Sequence, residues 1–579
     1  MNKFPFKIKS ALTIIISSLF LFFFQTTNAL AQNVPPGDDV GAQSRRLVDQ
    51  GNAAQKTFDE KKAQGSLVDN KVNELAAPAE GGVSFVLTKV QLTGVTVFSL
   101  AEMESLYASL IGQKVTAKEI NQILESIKTK YKKHGYFTTT AYLPAQDIKD
   151  GVLLLTVVEG KMGDLTIEGN RYFSSALISS YIHSDKNKIL NMSQLAQDVF
   201  RLNQKSDLQL KAVISPGKAP ETVDVTLKAQ DSPTWHKGVT MDNLGSRLLG
   251  KIKGGSYIRG TNVTGRADSL FVSTSLNSRT MAQMINYKTP IDTRGTQLGM
   301  SFSRSDFKLG QDFKSFDITG SSVQGGLELT KELYLSESFQ SMLKSGLDLK
   351  SIKKHTRGVR TANDQLRIPY LGLDFIENDA WGTTTFSPRM DFGTEDFLGA
   401  SSRNHPSAVR AGTGGSYIRY SQEMTRSLKM PWESYLRLHG EFQSASRTLP
   451  SSEQFQLGGE SSIRGYPEGD YLADVGGFAS VEWNFPMYLI PKTWVLPKER
   501  TLLRYQIQPY VFADMGGGML KKVLPGETDR KTLWSMGGGF RVHVYRSVFL
   551  NMDWAKVMGD DPVSGSGSST FHFSLQIEV

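Results

Sequence analysis

From Trp235 onward the sequence alternates apolar and polar residues, stretch after stretch. Leu436, Leu438 and Phe442 interleave with Arg437, His439, Glu441 and Gln443. Ala479, Val481, Trp483 and Phe485 interleave with Ser480, Glu482 and Asn484. Phe571, Phe573, Leu575, Ile577 and Val579 interleave with His572, Ser574, Gln576 and Glu578. Successive side chains on a strand point to opposite faces, so each stretch has one oily and one wet face. Residues 235 to 579 number 345. With strands of roughly 10 residues plus turns and unequal loops, they allow about 16 strands. A soluble β-sandwich would show the same alternation, so the remainder of the chain must decide between sandwich and membrane barrel.

The beginning of the chain sets the compartment. Lys3, Lys7 and Lys9 form a positive n-region, Ala11 to Phe24 is strongly apolar, and Ala29-Leu30-Ala31 supplies the small residues a signal peptidase reads. Together they read as a secretory signal over residues 1–31, with cleavage before Gln32. A membrane anchor needs about 20 apolar residues, and this run ends sooner, in Gln25-Thr26-Thr27-Asn28. No later stretch is long and apolar enough for a membrane helix. A closed barrel is the other structure that satisfies its backbone in lipid. The signal, the 53 glycines and the aromatic residues favour the barrel. The chain has no cysteine, which excludes disulfides and thiolate chemistry and suits a periplasmic route. The formal charge is +9, and loss of the three leader lysines lowers it to +6. With no dense basic cluster, this is not a nucleic-acid footprint.

Between signal and barrel lie three segments. Residues 32–82 are polar. A helix over Ser44 to Lys62 would be polar nearly all round, and the segment reads as a solvated linker in preference to a helix standing in a water-filled lumen. Residues 83–160 carry the order β-α-α-β-β. Ser99 and Glu102 form one capping box, Thr116 and Glu119 a second. Ile120, Ile123, Leu124, Ile127 and Tyr131 follow helical spacing until Gly135. Phe137 to Leu143 and Val152 to Val158 read as strands. Residues 161–230 repeat that order, which makes two modules of about 75 residues, each large enough for a small core. Residues 231–579 complete the division as the barrel.

Enzyme signatures are absent. The eight histidines show no metal-ligand spacing, no Gly-x-Ser-x-Gly elbow occurs, and no cofactor motif is present. Gly245 to Lys251 has phosphate-loop spacing, but position 252 is Ile instead of the magnesium-binding hydroxyl. The informative constellation comes late. Leu457 to Tyr466 is turn-rich, with Ile463-Arg464-Gly465-Tyr466 at its end, and a later strand carries Phe512, Asp514 and Gly516. Counting in twos places Gln506, Gln508, Tyr510, Phe512 and Asp514 on one face, turned to the lumen. Arg464 on a loop and Asp514 on a wall are natural partners, because a planar guanidinium grips a carboxylate with two hydrogen bonds. The plainer reading is two ordinary hydrated charges.

These residues resemble the outer-membrane transporters of two-partner secretion, the hemolysin secretion/activation proteins of the barrel-assembly insertase superfamily. His134-Gly135-Tyr136, Leu143-Pro144-Ala145-Gln146, Asp150-Gly151 and Val158-Glu159-Gly160 resemble that family's first POTRA module, and Ile167-Glu168-Gly169-Asn170 the start of a second. Asp242 to Arg247 resembles its barrel start and Tyr287-Lys288-Thr289-Pro290 its early hairpin. Ile463 to Tyr466 resembles the superfamily's loop tip, and Phe512-x-Asp514-x-Gly516 the strand motif that the tip meets. The chain departs from the pattern at its last residue, Val579, where an aromatic is usual, and at Leu244 and Leu248, where small polar residues are expected.

The resemblance implies a mostly β protein with a 16-stranded transmembrane barrel, two periplasmic POTRA (β-α-α-β-β) modules and a plug helix near the mature N-terminus. It implies an outer-membrane location and export of one large, unfolded exoprotein without ATP. Other partners would be outer-membrane lipids and, during biogenesis, the barrel-assembly machinery and periplasmic chaperones. In the first module, Phe137, Thr139, Ala141 and Leu143 lie on the strand whose edge an extended client would join by backbone pairing. Two other functions stay open. One is a barrel-assembly insertase, which usually carries a different number of POTRA modules. The other is a passive porin or receptor, which has no need of such modules.

Overall fold

The computed structural model describes residues 39–59, 68–70, 84–205, 207–496, 501–544, 547–562 and 569–579. The leader read from residues 1–31 lies outside them. Sixteen antiparallel strands, from Trp235–Asp242 to Ser569–Glu578, close into one barrel. The alternation explains the closure: each strand buries no core of its own kind, and every strand finds a partner on both sides, so no edge is left. On the strand Ile507–Met519, Tyr510, Phe512 and Asp514 are turned inward and buried, while Val511 and Met515 are exposed on the outer face. The seam is a short ladder, Gly238 to Asp242 against Glu578 to Ser574. The Asn243 side chain lengthens it by bonding the backbone of Phe571 and Phe573 at 2.8 Å each. Val579 exchanges two main-chain hydrogen bonds with Lys237, so a non-aromatic terminal residue still completes the ladder.

The linker reading of residues 32–82 is corrected for part of its length. Val40–Asp59 is a helix, α1, standing inside the barrel. Its polar surface misleads because the lumen around it is polar too. Ser44 bonds Ser322 at 2.5 Å, and Gln50 bonds Lys253 at 2.5 Å. One apolar contact caps its entry: Val40 is buried with Leu248, Leu249, Phe307 and Ile352. That contact explains Leu248, one of the three residues that depart from the family pattern. The phosphate-loop-like stretch is therefore a closed turn against the plug, with the Gly245 N–H bonded to Lys251 O at 2.9 Å.

After α1, a short strand β1 (Val68–Asn70) leads toward two α/β modules. The first holds β2 (Phe85–Val86), β3 (Lys89–Thr93), α2 (Leu100–Glu104), β4 (Lys114–Val115), α3 (Ala117–Lys133), β5 (Thr140–Tyr142) and β6 (Val152–Val158). Both expected capping boxes are formed. The apolar face of α3, from Ile120 to Tyr131, packs on Leu153, Leu155 and Val157. Gly135 ends α3 at φ +91°. The second module holds β7 (Lys161–Glu168), α4 (Ser175–Ser180), α5 (Met192–Asn203), β8 (Leu208–Pro216) and β9 (Thr222–Asp231) around its own core. Its sheet runs β1-β8-β9-β7, and β1 lies parallel on β8. Asp207 meets Thr261 and His236, and Arg201 grips Glu332 at 2.6 and 3.1 Å, so the module is tied to the periplasmic rim.

The expected strand Phe137 to Leu143 is shorter than the sequence suggests. β5 spans three residues at the end of the sheet β3-β6-β5. Pro144 has no N–H to extend it. The Gln146 side chain takes the next position instead, accepting from Leu154 N at 2.8 Å and donating to Leu154 O at 2.7 Å.

Candidate functional site in the barrel lumen

The long connection 446–474, between the strands Tyr435–Ala445 and Val475–Asn484, folds back into the lumen. Phe455–Leu457 and Tyr471–Ala473 pair as its stem. Its tip turns at Gly465, φ +94°, where a Cβ would sit 3.1 Å from Ala555. Ile463 and Tyr466 are fully buried in an apolar cluster with Phe455, Phe478, Leu533 and Val557. Gly516 leaves room for Ile463: a Cβ there would lie 2.9 Å from its Cδ1. The tip is thus held by packing on both sides of its one charge.

That charge meets the predicted partner. Arg464 Nε donates to Asp514 Oδ2 at 2.8 Å and Nη2 to Oδ1 at 2.8 Å, and the Arg464 backbone N–H adds a third bond at 3.1 Å. Asp514 is 1% exposed and Arg464 7%, so this is a buried pair instead of two hydrated charges. Phe512 lies under the guanidinium, 3.4 Å from ring centroid to Cζ, where a cation is attracted to the ring face.

Sequence reasoning missed the rest of the network. Arg464 Nη1 also donates to Glu482 at 2.9 Å, and Ser480 bonds Asp514 at 2.7 Å. Glu482 in turn binds Arg541 at 2.6 and 2.9 Å, and Arg541 stacks on Tyr510. The signal was present: Ser480 and Glu482 stand on the polar face of an alternating strand. Their meeting with Arg541 depends on register across three strands, which spacing along the chain does not reveal.

The loop is also the seat of the plug. Arg46 donates to Glu468 O at 2.8 Å, Arg45 to Gln454 O at 2.7 Å, and Gln456 to Ala42 O at 2.8 Å. Gly41 lies so close to the turn Ser451–Glu453 that a Cβ would come within 2.6 Å of Ser451 Oγ. The turn itself is fixed to the wall: buried Glu453 binds Lys350 at 2.7 Å and Arg419 at 2.8 Å. Wall, loop and helix are nested, and most of the bonds between them are polar.

The expected client-binding residues lie apart from this network, in the first module. Thr139 and Ala141 are buried, Leu143 packs on the core, and Phe137 is exposed. The exposed residue of β5 is instead Tyr142, at 43%, and Phe137, three residues before the strand, is exposed at 48%. Nearby, Glu159 pins the module. Its carboxylate accepts from Thr96 N at 2.9 Å, Val97 N at 3.0 Å and the Tyr131 and Thr96 hydroxyls. Burial raises the pKa of Glu159, but these hydrogen bonds outweigh it and hold the carboxyl below its usual range.

Residues 221–542, more than half of the chain, match the family described as haemolysin secretion/activation protein ShlB/FhaC/HecB. Residues 85–160 match the POTRA domain, ShlB-type. The heme/hemopexin transporter protein HuxB of Haemophilus influenzae is 22% identical over 98% of this chain and 99% of its own length. The outer membrane transporter CdiB of Dickeya dadantii (strain 3937) is 25% identical over 71% of this chain and 74% of its own. Among solved structures, CdiB from Escherichia coli superposes with a TM-score of 0.75 at 20% identity, covering 95% of this chain and 100% of that one. At such identity the structural likeness establishes the fold.

Proposed function

The chain belongs to the haemolysin secretion/activation protein family, and on that premise we propose that it captures one unfolded exoprotein in the periplasm and passes it through its own barrel. It is an outer-membrane transporter with periplasmic POTRA modules, and its relatives include an outer membrane transporter and a hemolysin transporter. The observation that carries the reading is the filling of the lumen. The space inside the wall is occupied by two separate pieces, α1 and the loop 446–474, and most of the bonds holding them are polar ones that water can replace. Their departure would leave the aqueous channel that a 16-stranded wall encloses.

Capture falls to the first module. The outer edge of β5, flanked by exposed Phe137 and Tyr142, offers backbone groups and two aromatic rings to an extended client. The parallel seat of β1 on β8 supports this mode, since there an extended segment of the chain itself lengthens a POTRA sheet. The client supplies the energy: folding outside a narrow pore prevents return, and no nucleotide is needed. The client is a large secreted protein of the adhesin or hemolysin type. Outer-membrane lipids cover the barrel, and the barrel-assembly machinery and periplasmic chaperones handle it during biogenesis. An insertase or a passive porin is the less favoured reading, given the family and the two modules ahead of the barrel.

Deletion of residues 85–160 tests the proposal. Export of the client ceases while the barrel still folds, seen as a gel shift on boiling. Continued export would remove capture from this module.

A further inference from the structure

Three metal-binding side chains face one another on the lumen wall, away from the Arg464 network. Glu423, on the strand Tyr417–Lys429, stands directly opposite Glu441, on the strand Tyr435–Ala445. His439 is two residues from Glu441 and so shares its face. One donor atom from each of the three lies within 4.8 Å of the other two. Thr425, opposite His439 in the same ladder, holds the ring: its hydroxyl is 2.9 Å from Nδ1. Nε2 is thereby left toward the carboxylates, 3.6 Å from Glu441. A histidine whose far nitrogen is fixed by a neighbour is the usual arrangement behind a metal ligand. Phe478 stands edge-on to the ring at 5.3 Å, opposite Glu441 on the next strand, and gives the site one dry wall.

Two carboxylates directly opposite on adjacent strands repel each other, and a cation between them converts repulsion into binding. The donor set selects the cation. Imidazole with carboxylates suits zinc and its neighbours, whereas magnesium takes oxygen alone. Tetrahedral zinc at about 2.0–2.2 Å from each donor brings ligands to about 3.3–3.6 Å of one another. The two glutamate side chains cover the remaining distance by rotation. His439 is 18% and Glu441 37% exposed, so lumen water reaches the site and ions can exchange. Asp49, on the plug helix, is within electrostatic reach of Glu441 and is itself paired with Arg45 at 3.4 Å, so the site faces the plug.

We propose that Glu423, His439 and Glu441 form a binding site for a divalent transition-metal cation of the zinc class on the wall of the conduit, beside the plug. The sequence gives no spacing signal for it, because its ligands come from two strands that register brings together. Binding needs no client, so the proposal stands or falls apart from export.

Purified full-length protein in detergent, stripped with EDTA, is titrated with ZnCl2 by calorimetry, with MgCl2 as comparison. Wild type is set beside His439→Asn, Glu441→Gln and Glu423→Gln, and the gel shift on boiling verifies a closed barrel in each. The expected result is one Zn2+ per chain at sub-millimolar concentration, weakened at least about tenfold in every variant that closes. Magnesium produces no comparable heat. A wild type that takes up no Zn2+, variants that bind as wild type does, or Mg2+ binding as tight as Zn2+ would each overturn the proposal.

Discussion

Arg464 and Asp514, 50 residues apart in sequence, meet through two parallel hydrogen bonds of 2.8 Å inside the barrel. Removing one partner leaves the other charged and buried, which costs about 3–5 kcal/mol at such a site. Arg464→Ala and Asp514→Ala therefore each lower the melting point of the barrel and reduce export, while the barrel still closes. The double variant is no worse than the poorer single one. A double-mutant cycle on thermal unfolding gives a coupling of at least about 3 kcal/mol, and additive losses would show that the residues act separately.

The plug is tested first without touching a charge. Gly41→Leu places a side chain where Ser451 Oγ and Ser452 N already stand, at 2.6 and 2.7 Å from a Cβ. The helix cannot seat, and the channel conducts more of the time in planar bilayers. Arg46→Ala, which loses the bond to Glu468 O, opens it less often. Conductance equal to wild type in both would mean that the helix does not block the lumen.

On β5, burial separates capture from folding. Tyr142→Ser and Phe137→Ser alter exposed rings and shift stability by no more than about 0.5 kcal/mol. They weaken client binding, read by pull-down of an unfolded client fragment. Ala141→Asp buries an unpaired charge and unfolds the module, which circular dichroism at 222 nm detects. Undiminished binding in the double Phe137/Tyr142 variant would move capture elsewhere.

Glu159 makes the first module acid-sensitive. Its folded pKa lies below the unfolded value of about 4.3, so its stabilisation is complete above that pH. It is lost as pH falls through the folded value. Glu159→Gln removes about 1–3 kcal/mol at pH 7 and flattens the pH dependence of the helix signal below pH 5. An unchanged slope in the variant would assign the acid sensitivity to other carboxylates.

Much of this architecture can be read without coordinates. Alternation places Phe512 and Asp514 on the wet face, and spacing alone marks the α3 core from Ile120 to Tyr131. Three features resist reading for separate reasons. The plug is largely polar because its surroundings are, so α1 lacks the broad apolar face that marks α3. β5 is cut short by Pro144 and by a side chain, Gln146, that imitates a strand. The Glu482–Arg541 bond joins residues that only barrel register makes neighbours.

The nesting of wall, loop and helix gives assembly a direction. Residues 40–59 leave the ribosome some four hundred residues before the loop that seats them; Arg45 and its partner Gln454 are 409 apart. Contacts of such separation form late, because closing a long stretch of chain costs entropy before any bond repays it. One of the earliest segments made thus waits on a loop made some four hundred residues later, and the stopper can be seated only once that loop is in place.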